Sequence, residues 1–243
     1  MTPSLLQAEA HIAPQPRLVL QFGADIAERL SGADLLGQLK AAVVSVRTRV
    51  ANAWGFSFGG VILRDSARVS PGGWELRVDS QVVASGECTV GGWMLLAHEG
   101  PLPDVGRPAE DPSFGMPVRW ITDAEAAPYR EDPRFVLVDW MSVVVTSFEA
   151  AVERSLPSLV GFEQLDALLA RAEVVPPALA SAVADAGLPR DALLRLLRSL
   201  LASSRPLLAM ALILELAVLE SPRLRAGDEQ GWIAAVRDRL SPV

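Results

Sequence analysis

The sequence has little of the chemistry from which disulfide, metal and redox sites are built. It contains one cysteine and two histidines in 243 residues. A single cysteine, Cys88, cannot form an internal disulfide, which is consistent with a reducing compartment. So few ligands also give no zinc-site spacing. We therefore expect neither a metal ion nor a cofactor.

Positive charge and long apolar runs are scarce as well. The formal net charge is −7 and the pI is about 5.0, and no run of Lys or Arg reverses this locally, which argues against a nucleic-acid surface. Residues 1–16 lack the basic start and apolar core of an export signal. The most apolar stretch, 207–219, is interrupted by Glu215 and falls short of the roughly 20 apolar residues that span a bilayer. It predicts a buried helix, and a chain that is soluble and makes no membrane contact by itself.

The overall composition is that of a globular protein with a core. Hydrophobic residues make up 50% of the chain and charged residues 21%. The length predicts two or three compact units. Residues 1–16, which include Pro3, Pro14 and Pro16, are predicted to be a linker.

The chain up to Asp139 mixes strands with one long helix. Apolar residues recur at steps of four and three from Leu35 to Val50, which predicts a helix from Ala33 to Trp54 that ends at Gly55. Strands are predicted at 17–22, 61–64, 74–78, 81–84, 93–97, 118–121 and 135–138, with a turn at 79–80 and a short helical piece at 123–129. Residues 98–117 are predicted to be a long loop, and loops of that length are usually functional.

After Asp139 the periodicity is helical. Helices are predicted near 140–154, 162–172, 176–185, 190–203, 207–220 and 228–240, separated at Pro157, Gly161, 187–189, Pro206 and Pro222. Short consecutive helices with short joints indicate stacked hairpins that form a superhelix rather than a single bundle.

One serine motif formally suggests an enzyme. Residues 55–59, Gly-Phe-Ser-Phe-Gly, match the G-x-S-x-G nucleophile elbow, but that motif needs a strand before Ser57 and a helix after it, and the predicted order is the reverse. Cys88 near His98 is better explained as a small core residue than as a reactive thiol. With no P-loop or dinucleotide fingerprint, we expect no enzymatic activity, and a serine hydrolase remains the disfavoured alternative.

The segment from Asp111 to Ile121 is the most informative part of the chain. Phe114, between Pro112 and Gly115, must lie on a loop or at the edge of an element. Asp111 is placed to accept backbone N–H bonds as an Asx-turn. The aromatic ring is then either an anchor for a partner protein or a staple that packs inward on its own loop. The residues alone favour the staple, because exposed aromatic anchors are few.

Several segments occur in an order that identifies a family. They are Arg64-Asp65, D-P-S-F-G-M-P-V-R-W-I at 111–121, V-L-V-D at 136–139, S-V-V-V-T at 142–146 and L-V-G at 159–161 followed by the Leu168-Leu169 helix. Together, from about residue 17 to residue 240, they resemble the cytosolic region of the type III secretion export-gate family. That family includes the flagellar export gate and the major export-apparatus proteins of injectisomes.

The resemblance implies an α+β, multidomain fold. An N-terminal α/β subdomain would comprise 17–90 and 139–159, a small inserted α/β subdomain 91–138, and an all-α superhelical subdomain 160–243. In the family this region forms a homo-oligomeric ring, a nonamer, beneath the membrane gate, and contacts other export-apparatus proteins. The family's binding site for export chaperone–substrate complexes falls on Asp111, Phe114 and Thr146, which raises the docking interpretation of Phe114 above the staple.

Three departures from the family pattern are expected to matter. The family's transmembrane part and its fourth subdomain are missing, so the chain is either a piece of a longer protein or a free-standing relative. Ser147 stands where the flagellar pattern has histidine, a change expected to alter partner choice and typical of an injectisome-type or divergent member. We expect a cytoplasmic docking and ring-forming module at the cytosolic face of the inner membrane. The alternative is a free-standing cytosolic adaptor or regulator derived from that family.

Overall fold

The computed structural model describes residues 17–170 and 175–240. The predicted linker at 1–16 lies outside the described residues, as do 171–174 and 241–243. The described part contains two four-stranded sheets and ten α-helices. The predicted α+β class is therefore confirmed.

The first sheet has the strand order β2-β1-β3-β4. Its strands are β1 (Leu18–Phe22), β2 (Val61–Asp65), β3 (Gly73–Val78) and β4 (Gln81–Glu87). Strands β1 and β2 are parallel, and the other pairs are antiparallel. Asp79 and Ser80 join β3 to β4 with φ angles of 47° and 71°, the positive values that a tight type I′ hairpin turn requires. The predicted turn is confirmed.

Two helices separate β1 from β2: α1 (Ala24–Leu30) and α2 (Ala33–Trp54). Helix α2 has the predicted bounds, whereas α1 was not predicted, because its seven residues are too few for a helical period to stand out. Gly55 ends α2 with a φ of 82°, and a Cβ at this position would lie 2.7 Å from the carbonyl carbon of Leu207. A glycine is therefore required where the end of α2 meets the helical region.

The second sheet has the order β6-β7-β5-β8, with every pair antiparallel. Its strands are β5 (Trp93–Ala97), β6 (Arg107–Glu110), β7 (Pro117–Ile121) and β8 (Phe135–Asp139). The expectation that 98–117 is entirely loop is wrong, because β6 pairs with β7. Strand β6 contains Pro108, which a sequence pattern counts against a strand but which an edge strand tolerates. Helix α3 (Asp123–Ala126) and a 3-10 turn (Ala127–Tyr129) follow β7.

The remaining helices are α4 (Trp140–Leu159), α5 (Phe162–Leu169), α6 (Pro177–Asp185), α7 (Arg190–Ala202), α8 (Met210–Leu219), α9 (Ser221–Arg225) and α10 (Glu229–Arg239). The expectation that Pro157 separates two segments is wrong, because α4 continues through it to Leu159. Pro157 lies in the last turn, where the helix loses a single backbone bond just before its end.

Helix α8 is buried on one side only. On its other side Leu212 and Leu219 are 46% and 64% exposed, and Leu208, which precedes the helix, is 60% exposed, so the expectation that 207–219 is a buried helix is wrong for this face. Glu215, the one charged residue of the stretch, is exposed on the same side, three residues after Leu212 and four before Leu219, so it marks the face that meets solvent. Among the described helices, none combines the length and apolar content needed to cross a bilayer.

Helix α4 lies at the centre of the molecule. It packs against α2, α7, β3, β4, β5 and β8. One continuous core extends through the first sheet, α2, α4 and the helical region, and includes Val144, Phe148 and Leu156 of α4. A second, smaller cluster of Leu95, Ile121 and Ala126 fills the space between the second sheet and α3. Helix α4 therefore brings its residues close to both sheets.

Candidate functional site

The loop between β6 and β7 is closed by its own hydrogen bonds. The Asp111 N–H donates to the Met116 carbonyl at 2.8 Å, and the Gly115 N–H donates to the Asp111 carbonyl at 2.8 Å. The Asp111 carboxylate accepts from the backbone N–H of Ser113 at 2.6 Å and of Phe114 at 3.2 Å. The predicted Asx-turn is thus confirmed, and it gives the loop a defined shape.

Phe114 points out of this loop. Its side chain is 67% exposed, whereas Asp111 is only 5% exposed. The staple interpretation is therefore wrong, because an inward ring would be buried. The carboxylate lies inside the turn and bonds its backbone, which leaves the aromatic ring on the outside.

A pair of hydroxyl groups ties this loop to α4. The Ser113 Oγ and the Ser147 Oγ lie 2.8 Å apart, and either can donate. Ser147 is 1% exposed, so it lies beneath the loop rather than on the surface. Sequence reasoning noticed Ser147 but missed Ser113, since their meeting depends on how α4 packs. Ser147 therefore contacts the loop from beneath and presents almost no surface of its own.

An apolar groove of about 360 Å³ lies between this loop, α4 and one face of the second sheet. It is lined by Met94, Leu96, Ala97, His98, Asp111, Ser113, Phe114, Met116, Val136, Val138, Val143 and Thr146. The structure thus brings Asp111, Phe114 and Thr146 to one groove, although Thr146 is far from the other two in sequence. Met116 and Val136 are 46% and 47% exposed, so the depression presents apolar surface to solvent.

The lining of the groove is mainly apolar. Its one carboxylate, that of Asp111, is occupied by the backbone of its own loop. Across residues 17–170 and 175–240, no group of three or more His, Cys, Asp or Glu side chains is arranged to hold a metal ion. A larger depression of about 860 Å³ lies by α1 and the end of β4, where Arg107 and Glu87 pair with each other at 3.5 Å. No aromatic side chain lines that second depression.

Ser57 and Cys88 lie outside the groove. Ser57 follows α2 and precedes β2, the reverse of a nucleophile elbow, and its Oγ accepts a hydrogen bond from Arg47 Nε at 2.9 Å. Cys88 is 4% exposed, and its burial raises the pKa of the thiol to about 12. The interpretation of Cys88 as a small core residue is confirmed, because it is buried as part of the main hydrophobic core.

Nearly the whole chain matches one family. The model of the FHIPEP family covers residues 5–243. The chain belongs to the FHIPEP family. The resemblance to the type III secretion export-gate family, predicted from the motifs, is confirmed with it. The flagellar biosynthesis protein FlhA of Salmonella typhimurium is 26% identical to this FHIPEP chain over 189 residues, which cover 76% of the chain and 27% of FlhA. The chain thus spans about a quarter of that relative's length.

Solved structures share the fold of this FHIPEP chain. The Chlamydia pneumoniae CdsV protein superposes with a TM-score of 0.72 at 15% identity, over 91% of this chain and 64% of CdsV. The nonameric EscV cytosolic domain from the type III secretion system superposes with a TM-score of 0.58 at 12% identity, over 87% of this chain and 60% of EscV. At these identities the likeness is one of fold.

Proposed function

We propose that this chain is a docking module of a type III protein-export gate, and that its groove binds export chaperone–substrate complexes. In this role Asp111, Phe114 and Thr146 form the binding site, and the bound cargo is presented to the membrane channel. The observation that carries the proposal is the 67% exposed ring of Phe114, held by a closed Asx-turn at the rim of an apolar groove. Exposed aromatic anchors beside apolar pockets are the residues that dominate protein–protein affinity.

The rigidity of the loop is what makes Phe114 suitable for docking. A side chain on a mobile loop must be ordered when a partner binds, at a cost of about 1 kcal/mol or more for each residue that is fixed. The Asp111 turn and the Ser113–Ser147 contact fix this loop before any partner arrives. The groove therefore combines apolar area with a preorganised anchor.

The proposal extends to assembly. A complex of Chlamydia pneumoniae CdsV with CdsO and the nonameric EscV domain support contact with other export-apparatus proteins and a homo-oligomeric ring. We place this ring at the cytosolic face of the inner membrane. The exposed leucines of α8 supply apolar surface outside the groove for contact between copies. We place the subdomain boundaries at 17–90 with 139–159, at 91–138 and at 160–243, divisions supported by the two separate sheets and the helices that follow them.

Isothermal titration calorimetry with the cognate chaperone–substrate complex tests the docking role. We expect Phe114→Ala to weaken binding by about 2 kcal/mol, roughly thirtyfold, because it removes the anchor while leaving the turn intact. Phe162→Ala is the matched control, since Phe162 is 52% exposed on α5 and does not line the groove. Unchanged affinity for Phe114→Ala, in a variant with the circular dichroism spectrum of the parent, would refute the proposed site.

A further inference from the structure

Strand β8 is the outermost strand of the second sheet, and it borders the groove. It pairs with β5 on one side, and in the sheet order β6-β7-β5-β8 no strand follows it. The other outermost strand, β6, reads Arg-Pro-Ala-Glu, and its proline and charges are features that block the addition of another strand. Strand β8 reads Phe-Val-Leu-Val-Asp and has no such protection before its last residue. The two edges of the sheet are therefore chemically different.

The direction of the β8 backbone groups follows from its pairing with β5. The His98 N–H donates to the Arg134 carbonyl at 2.7 Å, and this pair continues the register in which Leu96 opposes Val136. Bonded residues alternate along an antiparallel pair, so Val136 bonds to β5 and Leu137 turns its N–H and C=O outward. Consistently, the Phe135 N–H donates to the Asp132 carbonyl at 3.1 Å and not to β5.

These outward groups have no partner in the part of the chain that the structure describes. Neither the N–H nor the C=O of Leu137 is hydrogen-bonded to another described residue. A strand edge with a free donor and acceptor at the same residue offers the pattern that an added strand would complete.

The side chains of β8 alternate in step with this edge. Val136 and Val138 face the groove together with Met94 and Leu96 of β5. Phe135 and Leu137 face the opposite side and pack on the small cluster beneath α3. An apolar row with a period of two residues therefore runs along the floor of the groove, beside the open backbone edge.

We propose that the partner enters the groove as an extended segment that adds to β8 as a further strand. Its backbone pairs with Leu137, and apolar side chains at alternate positions pack against Val136, Val138 and Phe114. A helical segment would satisfy its own backbone and leave the Leu137 groups to water. This inference deepens the proposed function, on which it rests, by specifying the conformation of the segment that docks.

Peptide selection tests the proposal without knowledge of the natural cargo. The probe is a phage-displayed library of random 12-residue peptides, selected on the immobilised chain and counter-selected on Phe114→Ala. We expect enrichment of peptides with β-branched or aromatic residues at positions i, i+2 and i+4. Enrichment of apolar residues at i, i+3, i+4 and i+7 would indicate a helix and overturn the proposal, as would the absence of any enrichment.

Amide hydrogen exchange locates the added strand. An enriched peptide should slow exchange of the Leu137 N–H at least tenfold, and N-methylation of the peptide residues that face β8 should weaken binding at least tenfold. N-methylation of the residues between them, whose N–H groups point away, is the matched control. Unchanged exchange at Leu137, or equal effects of the two methylation patterns, would overturn strand addition.

The same measurement with the cognate chaperone–substrate complex separates the two proposals. A complex that binds through Phe114 without protecting the Leu137 amide would overturn strand addition and leave the docking role standing. A complex that fails to bind, while selected peptides protect Leu137, would refute the docking role and support strand addition.

Discussion

Replacing Asp111 by alanine should loosen the Phe114 loop without removing any groove-facing apolar atom. The carboxylate accepts one short and one longer bond from backbone N–H groups, at 2.6 and 3.2 Å. Both donors belong to partly or well exposed residues, so water can replace the carboxylate in part. The free energy of unfolding should therefore fall by about as much as on removal of a helix N-cap, about 1–2 kcal/mol. In a chain of this size the melting temperature should drop by roughly 3–6 °C.

Binding should weaken for a separate reason. Without Asp111 the residues around Phe114 must be ordered when a partner docks, and ordering costs about 1 kcal/mol or more of binding free energy for each residue. Affinity should therefore fall about tenfold or more, although the ring is still present. Asp111→Asn should retain most of the effect of the carboxylate, because an amide oxygen can still accept both bonds.

Three measurements would check this: thermal unfolding, amide exchange at Ser113 and Phe114, and calorimetry with the chaperone–substrate complex. Asp104→Ala is the matched control, since its side chain is 99% exposed in a surface ion pair with Arg119 and should change stability by less than about 0.5 kcal/mol. If Asp111→Ala and Asp104→Ala gave the same exchange rates and the same affinity, the turn would not be what holds Phe114 in place.

Three further predictions follow from buried or paired groups. Ser147→Ala should lower the free energy of unfolding by about 1 kcal/mol and speed amide exchange in the loop, because the Ser113 hydroxyl loses its partner. Unchanged exchange would contradict this. Cys88 should react with Ellman's reagent at pH 8 at least about a hundredfold more slowly in the folded chain than in urea, since burial raises its pKa to about 12. The Arg17 guanidinium hydrogen-bonds the Asp79 carboxylate and lowers the pKa of Asp79 below its usual 3.8. The parent chain should therefore be more stable than Asp79→Asn at pH 6, and this difference should shrink as the pH falls through the lowered pKa. A difference that grows in acid, measured by urea unfolding, would refute the pairing.

Local rules recovered local structure well. The helical period from Leu35 to Val50 predicted α2 with its observed bounds, and the chemistry of Asp111 predicted its turn. Both depend on residues within a few positions of one another. The same local reasoning missed α1 and β6, because a single short helix and a strand that contains Pro108 carry weak patterns that only tertiary packing supports.

Two expectations about which apolar side chains are buried were wrong, for different reasons. The chemistry of Phe114 alone favoured an inward ring, whereas the ring lies outside because the turn beneath it is filled by the Asp111 carboxylate and by the contact from Ser113 to Ser147. Leu208 and Leu219 were likewise expected to be buried. The exposure of Phe114 depends on what packs from distant parts of the chain, which no local pattern contains, whereas the exposed face of α8 is marked in the sequence by Glu215.

One short segment, from β8 into α4, supplies two sides of the groove. Val136 and Val138 form part of the floor on β8, and Val143 and Thr146 belong to the wall on α4. Between them Asp139 caps α4, and its carboxylate accepts from two backbone N–H groups of the first helical turn at 3.0 Å each. This cap stabilises the start of the helix directly after the strand, because it satisfies two N–H groups that would otherwise lack partners. Asp139 therefore stabilises the junction between the floor and the wall, although it does not line the groove.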